Sequence, residues 1–319
     1  MKSTEAGLAL IAAALFTVTL TACGGSTTGS APNAAHTVKV GVVLKTSNDY
    51  FNAMKAGIEA MPKDGIDLLG IEAPGNGTDA QAQINAIQNM VTRGAEALAV
   101  APIGPQVAPA LKQAIAQGAK VVLIDNDLPD LAGRSSYVGT DNLKGGEVAG
   151  KYLVEQMKGT GTLAIMSGIP GVPTLDDRVN GVLNQLKGTQ IKVVTTLATQ
   201  CDQTKGLNVM QAIGSTSPDV TAIYSACGPP VLGAIQARTK QDPFSKGMLL
   251  VGFDGLPDEA KAIVTGTETA SVAQFPQKMG TTAVLTAAAA ARGTQVPARI
   301  DTGTELVTSA NAAKFTTFQ

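Results

Sequence analysis

The sequence predicts an α/β protein made of two Rossmann-like lobes, each built on a parallel sheet. Three observations carry that prediction. Short β-branched runs alternate with amphipathic stretches of helical period along most of the chain, the order in which βαβ units are wound. The runs are apolar at successive positions rather than at every second one, as in strands covered on both faces. The second half also repeats the plan of the first: 98–105, a helix and 121–125 are matched by 222–229, a helix and 249–254. Each half therefore ends a buried strand in an aspartate, Asp125 or Asp254. At 319 residues the chain has room for two lobes of ordinary domain size, each with its own core.

Taken in order, Val38, Val40, Val42, Val43 and Leu44 form the first strand. Asn48 or Asp49 suits the cap of the helix that continues through Met54, Ile58 and Met61. A strand is expected over 66–71, and a helix over 79–93 with Ile84, Ile87, Met90 and Val91 on one face. A third strand over 97–100 runs into Pro102 and Pro105; the helix over 108–117 stops at Gly118, and a fourth strand over 120–124 ends in Asp125-Asn126-Asp127. The second half reads as strands over 163–166, 192–197, 222–225 and 248–253 and helices over 180–186, 205–213 and 232–238. The alanine run 287–291 suits a close-packed helix, and Arg134 and Lys144 suit a solvated surface.

Open α/β sheets place ligands at the carboxyl ends of their strands. The loop 46–51, which brings Tyr50 and Phe51 to such an end, therefore reads as one wall of a small-molecule site. Two facing lobes place Asp125 and Asp254 in one cleft.

Composition narrows the function. Charged residues are 15% of the chain, hydrophobic residues 44%, and the net charge is -1, with no Lys/Arg cluster, so a nucleic-acid surface is not expected. Aromatics are 3% and Trp is absent, which leaves few rings to stack on a ligand. Ser167 and Ser225 have no histidine to activate them, and no G-x-S-x-G, S-x-x-K or P-loop pattern occurs. No enzyme, no catalytic residue and no cofactor are expected. His36 is the only histidine and Cys-x-x-Cys spacing is absent, so no metal site is expected either.

The amino terminus reads as an export signal. Residues 8–22 form an apolar stretch shorter than a membrane span needs, and they lead into Leu20-Thr21-Ala22-Cys23, which resembles the bacterial lipobox. Residues 1–22 are thus expected to be a lipoprotein signal peptide and Cys23 the lipidated residue. The Gly/Ser/Thr/Ala-rich segment 23–37 is expected to be a flexible tether. Beyond Cys23 there are two cysteines, Cys201 and Cys227, a disulfide candidate in an oxidising compartment, the alternative being two buried thiols.

Three segments then carry a family resemblance: DQTKGLNVMQ at 202–211, VGFDG at 251–255 and AQFPQKMG at 273–280. They resemble the ribose-binding protein group of the type I periplasmic binding proteins of ABC transporters, and the similarity runs from Val38 to the C-terminus. The resemblance implies two lobes joined by three hinge strands that close over a sugar, with crossings near Thr140-Asp141, Gln274 and Gly303. It divides the chain into an N-terminal lobe, 38–140 plus 275–303, and a C-terminal lobe, 141–274 plus 304–319.

Carried over position by position, it implies ligand contacts from Asn48, Tyr50 and Phe51, from Asp125, from Arg178, from Asp254 and from Gln274. Asn126 stands where the family commonly has an Arg and is kept as a contact. Cys201 replaces a stacking Phe and Cys227 a ligand-bonding Asn. Both cysteines fall on loops after neighbouring strands, so a bond between them is expected. Carboxylate, guanidinium and amide groups around a ring face suit a hydroxyl-rich ligand. The implied ligand is a monosaccharide or sugar alcohol, and the implied partner is an ABC permease. The protein is expected to be a monomer, lipid-anchored to the outside of the cell membrane or periplasmic. A chemosensory or signalling receptor of the same fold, binding a small signal molecule, is the alternative.

Overall fold

Val38, Val40 and Val42 face one side of the first strand and Val43 the other, and all four are fully buried. The same alternation recurs in Lys120–Ile124, where Val122 and Ile124 join the first cluster and Val121 and Leu123 the second. Both faces of the sheet are thus covered, and each such side chain contributes about 1.5–3 kcal/mol of burial free energy. The structure, a computed structural model, describes residues 36–75, 77–240 and 247–318. The expected signal peptide 1–22, the lipidation site Cys23 and residues 24–35 of the expected tether lie outside the described residues.

The first lobe opens β1 (Val38–Val43), α1 (Asp49–Ala60), β2 (Ile66–Glu72), α2 (Ala80–Thr92), β3 (Ala97–Val100), α3 (Ala108–Ala116), β4 (Lys120–Ile124) and β5 (Ser136–Gly139). The second follows with α4 (Asn142–Gln156), β6 (Thr160–Ser167), α5 (Pro173–Leu186), β7 (Gln190–Ala198), α6 (Gln203–Thr216), β8 (Ala222–Ser225), α7 (Gly228–Lys240), β9 (Leu249–Asp254), α8 (Pro257–Thr265) and β10 (Ala270–Ala273). The chain then returns to the first lobe with α9 (Pro276–Ala291) and β11 (Arg299–Asp301), and to the second with β12 (Glu305–Val307).

The two six-stranded sheets have the same plan, β11-β5-β4-β3-β1-β2 and β12-β10-β9-β8-β6-β7. All pairings are parallel except that of the edge strand β12, which runs antiparallel to β10. The internal repeat is therefore a repeat of topology. In both sheets the order reverses beside the first strand of the lobe, the place where α/β sheets open a crevice. In the first lobe Gln83 of α2, fully buried, fixes this point: its amide donates to the carbonyls of Leu44 and Ala101 and accepts from the amide of Ile103.

Two close approaches set the helix layers. Gly57 of α1 lies against α9, where a Cβ would come 2.6 Å from the backbone of Gln277. Gly146 of α4 lies against α5, where a Cβ would meet the carbonyl oxygen of Arg178 at 2.2 Å. Sequence periodicity does not predict α4, whose three glycines lower its helical signal; here Gly146 and Gly150 are the contact surface that lets α5 approach, and Gly145 packs against the Phe253 ring of β9. α5 starts at Pro173, a proline in its first turn, rather than near residue 180. Arg134 is also less exposed than expected: it pairs with Asp127 at 3.1 Å and donates to the carbonyls of Leu128 and Pro129.

Candidate functional site

The ends of β1, β4, β9 and β10 and the start of α5 supply one cluster of charged and polar side chains. Asp125 follows β4 with φ +63° and Asp254 ends β9 with φ +103°. Non-glycine residues rarely adopt these angles, which cost about 1–3 kcal/mol each and persist only where neighbours enforce them. The enforcing contacts are visible. The Asp125 amide bonds the carbonyl of Val138 at 3.0 Å and its carbonyl receives the Tyr137 hydroxyl at 2.8 Å. After Asp254, Gly255 continues the left-handed turn at φ +62° and its amide donates to Ser271 Oγ.

Around Asp254 the protein builds a nearly saturated network. Arg178 Nη1 donates to Asp254 Oδ1 at 2.9 Å, Gln274 Nε2 donates to the same oxygen at 2.7 Å, and the Gly228 amide donates to Oδ2 at 3.0 Å. A carboxylate offers about four acceptor positions, so one remains. Arg178, 5% exposed, is itself fixed by donation to Asn142 Oδ1 and the Ala226 carbonyl and by stacking on Phe253, 3.9 Å from the ring centroid. Gln274 accepts from Thr140 Oγ1 at 2.7 Å, so its amide is oriented from both sides.

The first lobe presents a less saturated wall. The Tyr50 hydroxyl donates to Asp125 Oδ1 at 3.2 Å, and the Tyr50 ring meets Phe51 edge-to-face at 5.3 Å. Burial, then the charge of Asp125, pushes the Tyr50 hydroxyl well above its ordinary pKa. Burial also raises Asp125 above the usual carboxylate value, against the attraction of Lys45 and Arg178. Asn48 is the N-cap of α1, its side-chain oxygen accepting from the Phe51 amide at 3.0 Å. Asn126 donates to the Pro102 carbonyl and accepts from Thr174 Oγ1 of α5 at 3.0 Å, which ties the two lobes across the cluster.

Of the eight expected side chains, Tyr50, Asp125, Asn126, Arg178, Asp254 and Gln274 are brought into this network. Phe51 is packed in the first-lobe core, and Asn48 is exposed at its helix cap. Lys45, which sequence reasoning passed over, belongs to it. This half-buried lysine lies beyond the end of β1, its ammonium makes no hydrogen bond to protein among the described residues, and Asp125, Arg178 and Asp254 all act on its charge. Burial is the largest influence and lowers its pKa. The signal available was a lone charge directly after a β-branched strand. Thr174, Tyr137 and Asn142 were also missed, because their roles are set by partners more than ten residues away.

Two carboxylates and two cations thus balance in charge while leaving, among the described residues, free hydrogen-bonding capacity: the Lys45 ammonium, Arg178 Nη2 and Asp125 Oδ2. Donors and an acceptor side by side match the dual character of a hydroxyl group. Cys201 and Cys227 are joined in a disulfide with Cα atoms 5.4 Å apart, closing a loop worth about 3 kcal/mol in the chain-entropy account. Among the described residues no group of His, Cys, Asp and Glu side chains could hold a metal ion. A cavity of about 490 Å³ lies to one side, lined by residues that include Asn52, Leu256, Lys261 and Phe318. It contains none of the converging charges, so the network above is the better candidate.

Comparison with known proteins agrees with the two-lobe fold. A profile of the periplasmic binding protein domain matches residues 40–295. The ribose import binding protein of Salmonella typhimurium is 30% identical over 269 residues, 83% of this chain and 88% of that protein. A solute-binding protein of an ABC transporter from Actinobacillus succinogenes, solved with D-allose, is 26% identical with a TM-score of 0.81, covering 87% of this chain and 99% of that one. Another from Mycobacterium smegmatis, solved with glycerol, is 29% identical with a TM-score of 0.78, covering 88% and 98%.

Proposed function

The chain belongs to the type I periplasmic binding proteins, in the ribose-binding group, and on that premise we propose that it is the extracytoplasmic solute-binding component of an ABC importer, taking a monosaccharide or sugar alcohol into the cleft between its lobes. The observation that carries this reading is the convergence of Asp125 and Asp254, from equivalent strand ends of the two lobes, with Lys45 and Arg178 beside them. Asp125 accepts from ligand hydroxyls, and Lys45 and Arg178 donate to hydroxyl oxygens. Asp254, mostly occupied, holds Arg178 in place, while the Tyr50 ring, backed by Phe51 in the first-lobe core, covers an apolar face. Asn126 and Gln274 line the cleft, and Asn48 borders it.

In this reading the lobes hinge about the crossings 140–141, 274 and 303, and closure adds the second lobe's contacts and excludes water. The closed molecule delivers its ligand to an ABC permease as a monomer, and Cys23 carries the lipid that holds it to the membrane. Charge-assisted hydrogen bonds worth about 1.5–3 kcal/mol each supply micromolar or tighter binding after the cost of association.

The test is thermal denaturation of the mature protein with D-ribose, D-allose, D-arabinose, myo-inositol and glycerol. At least one is expected to raise the melting temperature in a saturable manner. No shift with any polyhydroxylated compound, together with a scattering profile unchanged by all of them, would refute the proposal. Mass spectrometry of the membrane fraction, with and without Cys23→Ala, tests the anchor separately.

A further inference from the structure

The bond between Cys201 and Cys227 lies against the charged pair. Cys227 is 2% exposed and sits between two residues that touch it: the Ala226 carbonyl receives Arg178 Nη1 at 2.9 Å, and the Gly228 amide reaches Asp254 Oδ2 at 3.0 Å. Gly228 is also the first residue of α7, so its N–H is one that the helix cannot satisfy and that points at a carboxylate. The loop is drawn in by Ser225, whose hydroxyl donates to the Cys227 carbonyl at 2.7 Å.

The other end of the bridge is rigidly held. Gln200 and Cys201 both have φ +54°, two consecutive non-glycine residues in a left-handed turn. That turn is fastened to the end of β6 by Thr199, whose amide and hydroxyl both donate to the Ser167 carbonyl. On its far side it leads directly into Asp202, the N-cap of α6, whose side chain accepts from the Lys205 amide at 2.8 Å. A continuous mechanical link therefore runs from the cap of α6 through the two sulfurs to the backbone groups that aim Arg178 and Asp254.

We infer that the Cys201–Cys227 disulfide is a positioning element of the ligand site, fixing the Arg178–Asp254 pair in its binding geometry by pinning the 225–228 loop. The inference rests on the cleft being the sugar site. Left-handed residues relax when the constraint that enforces them is removed, and a released Cys227 lets the Ala226 carbonyl and Gly228 amide drift from their partners. The lobe keeps its sheet and helices, because the bond lies at the loop ends and outside the buried clusters.

The test compares the oxidised protein with protein reduced by a trialkylphosphine. The bridge gains two electrons and two protons to become two thiols, while the phosphine takes an oxygen from water to become its oxide. Alkylation and intact mass confirm both states, and the Cys201→Ser/Cys227→Ser variant provides a reductant-free form. With whichever compound of the five-member panel binds tightest, reduction is expected to weaken affinity about tenfold, mainly through faster dissociation, with recovery on reoxidation.

Coupling separates positioning from a general loss of stability. In an Arg178→Lys background, which cannot bridge the Ala226 carbonyl and Asp254 as the guanidinium does, removing the bridge is expected to cost almost nothing further. In a Tyr50→Phe background the two losses are expected to add. Equal affinity of the oxidised and reduced proteins, or additive losses with Arg178→Lys, would overturn the inference. Absence of binding to the whole panel by the oxidised protein would instead overturn the sugar-site reading and this inference with it.

Discussion

Replacing Lys45 by Met is the most informative single perturbation, because it separates binding from folding. Among the described residues the ammonium makes no hydrogen bond, yet it sits among Asp125, Arg178 and Asp254. Its pKa is lowered on balance, with burial outweighing the attraction of the two carboxylates. The charged form is therefore a net cost to the empty folded protein, and Met, which keeps the apolar stem, removes that cost. The melting temperature of the unliganded variant at neutral pH is expected to equal or exceed that of wild type.

Binding should move the other way. One lost charge-assisted hydrogen bond of about 1.5–3 kcal/mol weakens affinity roughly ten- to a hundredfold. Titration calorimetry across pH adds a second readout. Wild-type affinity is expected to fall on the alkaline side earlier than an ordinary lysine would allow, as Lys45 loses its proton, and Lys45→Met is expected to lack that limb. Lys45 faces Asp125, Arg178 and Asp254, and the Tyr50 hydroxyl stays protonated throughout the range. Affinity within twofold of wild type, or a binding loss accompanied by a melting temperature several degrees lower, would refute the reasoning.

Other outcomes follow from the same structure. Asp125→Asn removes the free acceptor of the first lobe and is expected to cost at least about tenfold in affinity, read by calorimetry. Glu259 of α8 and Glu268, both buried in the second lobe, lie together beside Gly252, and burial pushes Glu259 up to about 8 and Glu268 well above the ordinary carboxylate value. The folded state then holds more protons than the unfolded one between the ordinary value and those raised values, so stability falls as pH rises through that window, by up to about 1.4 kcal/mol per pH unit per proton. Urea denaturation at pH 5 and pH 8 should show that decline, and Glu268→Gln should flatten it. Gly57→Val drives a side chain into the backbone of Gln277 and is expected to destabilise the protein by about 1–3 kcal/mol, measured by chemical denaturation.

The sequence by itself determined the two-lobe α/β plan, because buried parallel strands need unbroken β-branched runs and those runs are local. It also determined the strand-terminal Asp125 and Asp254, since the repeat places both at matching carboxyl ends. It did not reveal α4, whose glycines have meaning only against α5 and Phe253 of β9, or β11 and β12, three-residue strands that exist because each lies along the edge of a completed sheet. Only the tertiary structure decided how the charges share their work. Asp254 is spent largely on Arg178, Gln274 and Gly228, while Lys45 has its donors free among the described residues, and that division depends on distances between residues far apart in the chain. A residue's type states which hydrogen bonds it can make; the fold around it fixes which of them are left for a ligand.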